Sequence, residues 1–247
     1  MLPDWLTPET ITLLWQGLVL TLIITVVTTV GSLFLGILMG TLRLTGNRVS
    51  IVIARAYIEI HRNIPALVLV IFWAFAVPNI FPKPLRLQIF FNNRFLELVS
   101  ELTHLSIPYY LFAGMFGLTL NTSAYLAELF RAGVGTIPAD QIDSARSLGA
   151  NRWVVFWTIL LPGGVHAAFP AISGRLIHNF KNTSLISLVA VPVFFHGVQA
   201  SISKTFQATE FLLLAAVVYL ILTALLAQLL RSFEKRYFLK TVGQVNV

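Results

Sequence analysis

Cysteine is absent from the chain, which excludes disulfides, thiolate nucleophiles and thiolate-bound metal. Charge is scarce: 17 Lys and Arg and 10 Asp and Glu make 11% of 247 residues. A soluble domain carries about 25%. Mean hydropathy is +0.82, so the chain falls in the membrane class. No GxxxxGK[ST] phosphate loop occurs, so the chain is not itself a P-loop ATPase. Its five histidines, His61, His104, His166, His178 and His196, lack metal-ligand spacing such as HExxH and read as aromatic or interfacial residues. No nucleophile motif is present, and neither catalytic residues nor a metal site is expected. Met1 to Glu9 has no Lys or Arg ahead of a long apolar run, so this start reads as a membrane anchor and not a secretory signal. The net charge of +7 lies mostly between apolar runs, which suits an anionic lipid surface better than nucleic acid.

What is present is a series of apolar runs. Thr10–Leu42 holds no charge and is long enough for one long or tilted span, with Gly36 and Gly40 in GxxxG spacing. Those glycines are either a helix-packing seam or merely tolerated. A second helix is expected from near Ser50 to about Val77, kinked at Pro65, with Glu59 and Arg62 as ionisable residues that usually face a protein interior. Interfacial snorkelling is the alternative for both. Pro78–Glu101 reads as a loop, with Phe90, Phe91 and Phe95 able to lie on the interface. Leu102–Ala127, Pro162–Lys181 and Phe211–Leu230 complete five spans. Asn182–Ser203 is uncharged but polar, and could be a sixth.

Charge decides between the two counts. Five spans place nine basic residues inside (Arg43, Arg48, Arg131, Arg146, Arg152, Arg231, Lys235, Arg236, Lys240) and four outside (Lys83, Arg86, Arg94, Lys204). A sixth span moves the four basic residues of the C-terminus outside and removes that excess. The positive-inside rule therefore favours five, an outer N-terminus, a cytoplasmic C-terminus and a re-entrant outer segment at 184–200. Such irregular backbone is tolerated where it lines an aqueous cavity, so a solute path is its natural use. The expected layout is an outer segment 1–10, a transmembrane domain 11–235 and a cytoplasmic tail 236–247.

Between two apolar blocks lies a polar island, Gln141 to Gly149, within a cytoplasmic loop 138–162. Asp140 and Asp143 stand in capping-box spacing and Gly149 stands where a C-cap glycine belongs, predicting a helix of about two turns. Asn151 is placed to cap a following amphipathic segment with Trp153, Phe156 and Trp157. A membrane protein that keeps such an island presents it to a soluble partner.

Asp143-Ser144-Ala145, three residues, Gly149, nine residues, Ile159, one residue, Leu161-Pro162 resembles the signature loop of ATP-binding-cassette importer permeases, Glu-Ala-Ala-x3-Gly-x9-Ile-x-Leu-Pro. Asp143 and Ser144 depart from its first two positions; docking survives both, whereas any fine role of a Glu carboxylate is placed in doubt. Gln16–Leu22, Tyr57–Pro65, Ser123–Arg131, Gln141–Gly149 and Lys181–Leu185 are similar to stretches of the polar amino-acid subfamily, with Asn63-Ile64-Pro65 departing from the usual Gly-Thr-Pro and the loop from Pro82 to Ser106 longer than in short members. The resemblance implies an all-α, type I importer permease fold in a bacterial inner membrane. It implies a second permease subunit (homodimer or heterodimer), two cytoplasmic ATPase subunits and an extracytoplasmic binding protein that delivers a polar amino acid. ATP and Mg would be bound by the partner ATPase, with no cofactor in this chain and no enzyme activity of its own. Asp143, Ser144, Ala145, Arg146 and Gly149 would carry the coupling.

Five residues are candidates for the solute path: Arg62, Asn121, Arg175, Thr183 and Ser184. A buried Arg175 suits a carboxylate held bidentately, or else a structural ion pair with Glu128 or Glu59. Asn121, Thr183 and Ser184 could line the path or bond helix to helix. Arg175 and His178 share a helix face at i, i+3, as do Glu128 and Arg131. Lys181 reads as a snorkelling residue. The alternative functions are a permease for an osmolyte or peptide, and a stand-alone secondary transporter, which the lack of an internal repeat argues against.

Overall fold

A computed structural model describes residues 5–92, 94, 97, 98, 101 and 108–237. The outermost N-terminal residues 1–4, Phe95, His104 and the tail from 238 on, with Lys240, lie outside the described residues. Every described element is helical. They are α1 (Pro8–Thr45), α2 (Arg48–Asn63), α3 (Ala66–Asn79), α4 (Tyr109–Val134), α5 (Ala139–Ser147), α6 (Arg152–Val189), α7 (Phe194–Thr205) and α8 (Ala208–Tyr237), with short helical turns over 83–91.

Length and apolarity let α1, α6 and α8 each cross a membrane alone. The α2–α3 pair, bent by 105°, passes the same test together and is either a broken span or a re-entrant loop. At 26 residues, about 39 Å, α4 is also long enough. Asn121, Thr122 and Ser123 sit near its middle, and all three are buried. By contrast α7, at 12 residues or about 18 Å, is too short to cross.

The expected kink at Pro65 is a full break. Helix α2 stops at Asn63 and α3 starts at Ala66, with Pro65 as its N-cap residue at φ −55°, ψ 140°. A proline disfavours helical backbone in the residue before it, and it lacks the N–H to continue the ladder. Two π-helical turns have the same cause. Phe72–Ala76 precedes Pro78, and Phe156–Leu160 precedes Pro162. Widening the turn keeps the proline ring off the carbonyl four residues back.

Contacts divide the chain into two compact units. One comprises residues 1–30, 64–121 and 179–221. Its core gathers Ile24, Val70, Leu118, Ile186 and Val191, with a second cluster of Leu14, Phe194, Val198 and Phe211. Here the chain after α6 reverses at Ala190, in left-handed backbone at φ 58°. The start of α7 is tied to α1, whose Thr21 hydroxyl oxygen accepts from the Phe194 N–H at 2.9 Å. Asn179 Nδ2 donates to Thr28 Oγ1 at 2.9 Å, a polar lock inside an apolar setting.

The other unit comprises 31–63, 122–178 and 222–247. Leu126, Ala168, Ile172 and Leu176 form its core. The GxxxG glycines are a packing seam. A Cβ at Gly36 would sit 3.1 Å from the Ser123 carbonyl oxygen, and one at Gly40 3.2 Å from that of Ala127. Glycine lets α1 lie directly on α4, the close approach that such spacing permits. Glu128 on α4 then bonds both Arg43 of α1 and Arg131, the latter at 2.7 and 3.1 Å.

Candidate coupling and translocation sites

The polar island folds as α5, with one departure from the sequence expectation. The N-cap residue is Pro138, which has no side-chain acceptor, so Asp140 and Asp143 form no capping box. Asp140 instead lies in the first turn, where a carboxylate favours the helix dipole. The C-terminal end does follow expectation. Gly149 has φ +87°, its N–H donates to the Arg146 carbonyl at 2.9 Å, and the Ala150 N–H donates to Ala145 at 3.0 Å. These two bonds are the Schellman pattern. Nothing lies within 4 Å of where a Gly149 side chain would start, so glycine is required by its backbone angle alone.

No side chain of α5 is buried. Ile142 and Ala145 form a half-buried inner edge, and Asp140, Asp143, Ser144 and Ser147 face solvent together with Leu148, which is 90% exposed. The root of the loop is closely packed. A Cβ at Gly133, near the end of α4, would meet the Gly164 carbonyl oxygen of α6 at 2.2 Å, so these helices touch backbone to backbone. Beyond α5, Asn151 Oδ1 accepts from the N–H groups of Trp153 and Val154, both at 3.0 Å, the expected cap. Trp153 and Trp157 are exposed beside it.

The five path candidates separate. In the first unit, Asn121 Nδ2 donates to the Ile64 carbonyl at 3.2 Å, satisfying backbone freed by the break before α3. Thr183 and Ser184 each donate back to their own helix, to Phe180 at 2.7 Å and Lys181 at 2.8 Å. In the second unit, Arg62 and Arg175 converge on Tyr125. The Arg175 guanidinium lies 3.8 Å over the Tyr125 ring, and the Tyr125 hydroxyl donates to the Arg62 carbonyl at 3.0 Å. His178 Nδ1 lies 3.4 Å from Arg175. The expected ion-pair partners do not take Arg175: Glu128 is engaged by Arg43 and Arg131, and Glu59 is exposed. Sequence reasoning missed Tyr125. Its position one turn after Asn121 was the available signal, but an aromatic in an apolar helix is indistinguishable from core.

Helices long and apolar enough to cross a membrane thus occur together with a capped, solvent-facing helix, α5. The chain belongs to the family of binding-protein-dependent transport system inner membrane components, whose model matches residues 32–238. It is 30% identical over 226 residues to the glutamine transport system permease protein GlnP of Escherichia coli K12, covering 92% of this chain and 93% of that one. The probable glutamine ABC transporter permease protein GlnP of Bacillus subtilis is 29% identical, covering 92% and 95%. Among solved structures, an amino acid ABC transporter crystallised with histidines matches at TM-score 0.74 and 24% identity, over 96% of this chain and all of that one. The inward-facing methionine transporter MetNI matches at 0.68 and 17%, over 94% and 99%. The fold is that of a type I ABC importer permease, in a multi-pass inner-membrane protein that works with ATPase and substrate-binding components.

Proposed function

We propose that the chain is the non-catalytic permease subunit of an ATP-driven importer of a polar amino acid, coupled to its motor through α5. The observation that carries this is α5 itself. A free nine-residue helix is marginal in water. Here it is held by a Schellman cap and a glycine-to-glycine root, with no buried face, so it is built to bear load against something outside the chain. Asp143, Ser144, Ala145, Arg146 and Gly149 would form the docking element, each coupling helix seated in one of two cytoplasmic ATPases that bind ATP and Mg. Two permease subunits would flank the path, with the N-terminus outside and the C-terminus cytoplasmic.

The amino-acid reading draws support from the glutamine permeases named among its relatives and from the Arg175–Tyr125 pair. A guanidinium held over a ring has the planar fork that a bidentate hold on an α-carboxylate would need. Arg62, Asn121, Thr183 and Ser184 are proposed for the same path. The test is uptake by vesicles reconstituted with the permease, its ATPase and its binding protein. ATP-dependent accumulation of a polar amino acid supports the reading. Accumulation only of a quaternary-amine osmolyte or a peptide would reassign the cargo, and uptake without the ATPase would defeat the account.

A further inference from the structure

We propose that the basic end of α8 is a binding site for an anionic phospholipid, its phosphate held by Arg231 and Lys235. Phe211–Leu230 is 20 residues without a charge, about 30 Å of helix. Arg231 therefore falls at the level where hydrocarbon gives way to headgroups. At that level α8 bears a groove lined by Ala224, Ala227, Gln228, Arg231, Ser232 and Lys235. Spacings of 3, 4, 7, 8 and 11 residues from Ala224 put all six on one helix face. The opposite face is occupied: Leu230 packs on the Ala168–Ile172–Leu176 cluster, and Phe233 stacks on Phe169 at 5.8 Å. The groove thus opens away from α6.

Its chemistry is divided along its length. Ala224 and Ala227 leave an apolar trough free of side-chain bulk, on a helix whose Leu225 and Leu229 are also exposed. One turn further on, Arg231 and Lys235 stand at i, i+4, two cations able to straddle one phosphate, with the Gln228 amide beside them. Ser232 is already committed, donating to the Gln228 carbonyl at 2.8 Å. The nearby acid, Glu234, stands at i, i+3 from Arg231 and about 100° around the helix from Lys235, so it offsets part of one cation and leaves the other. Two cations select an anion, and the trough beneath them selects one that carries an acyl chain.

The test is native mass spectrometry of the purified protein from micelles holding equal phosphatidylglycerol and phosphatidylcholine. The wild type is expected to retain phosphatidylglycerol preferentially. Each basic side chain near an anionic surface is worth about fivefold, so Arg231→Gln with Lys235→Gln should cut the preference roughly 25-fold. The swap Arg231→Lys with Lys235→Arg keeps the charge and should keep the preference, as should removal of two charges elsewhere by Lys83→Gln with Arg86→Gln. Equal retention by the wild type and the neutralised variant overturns the proposal. Displacement of the lipid by millimolar inorganic phosphate would instead mark a soluble-anion site. Loss of a second copy of the chain, rather than of lipid, would mark a subunit interface.

Discussion

Gly149 and Arg175 show how little of a side chain's role is decided by its size. A side chain at Gly149 would touch nothing, and the glycine's value is a φ of +87° that most residues reach only at a cost of about 1–2 kcal/mol. The role proposed for Arg175 rests on shape: its guanidinium lies 3.8 Å over the Tyr125 ring, a planar fork that a lysine ammonium cannot reproduce. For Arg175→Lys we expect the apparent affinity for the transported amino acid to fall about ten- to a hundredfold, the worth of a charge-assisted bond. The analogue with its carboxyl group amidated should be carried equally poorly by both proteins. Competition uptake against the two compounds checks this, and an unchanged affinity for the free acid removes Arg175 from the path.

At the scale of elements, packing replaces the hydrophobic effect, which lipid does not supply between helices. The α1–α4 seam at Gly36 and Gly40 is then a point of leverage. Gly36→Leu should destabilise the protein by about 1–3 kcal/mol, the cost of overpacking, read as a lowered thermal midpoint in detergent. Gly174→Ala, at a glycine with nothing within 4 Å, should leave it near the wild-type value. An equal shift in both would dismiss the seam. The long elements were legible because charge-free runs leave helices few alternatives: Thr10–Leu42 and Phe211–Leu230 lie inside α1 and α8. Local pattern also foretold the Gly149 and Asn151 caps, since each depends on one residue's own chemistry. What failed was anything set by a neighbour. Asp140 and Asp143 have capping-box spacing, but Pro138 occupies the cap position. Pro65 announced an interruption, yet whether it kinks or breaks depends on partners such as Asn121, which satisfies Ile64. The convergence of Arg62 and Arg175 on Tyr125 joins residues 50 and more positions apart, which no periodicity encodes.

For the whole molecule, orientation rests on charge balance, and the missing cysteines make it directly measurable. Single cysteines can be introduced without a background thiol. Leu148→Cys, 90% exposed beside α5, should react with an impermeant maleimide only in opened vesicles, and Phe206→Cys, 89% exposed between α7 and α8, should react in intact cells. The reverse pattern would invert the proposed topology. The central claim is that α5 transmits the work of a partner ATPase. Its most direct test measures ATP hydrolysis and amino-acid uptake together in vesicles carrying the assembled complex, across Gly149→Asn, Gly149→Ala and Gly149→Val. Because only backbone angle is at stake, uptake should fall in that order, with Asn tolerated best and the β-branched Val worst. Stimulation of hydrolysis by loaded binding protein should fall with it while the complex stays assembled. Uptake that remains at the wild-type level in the Gly149→Val complex would contradict the account.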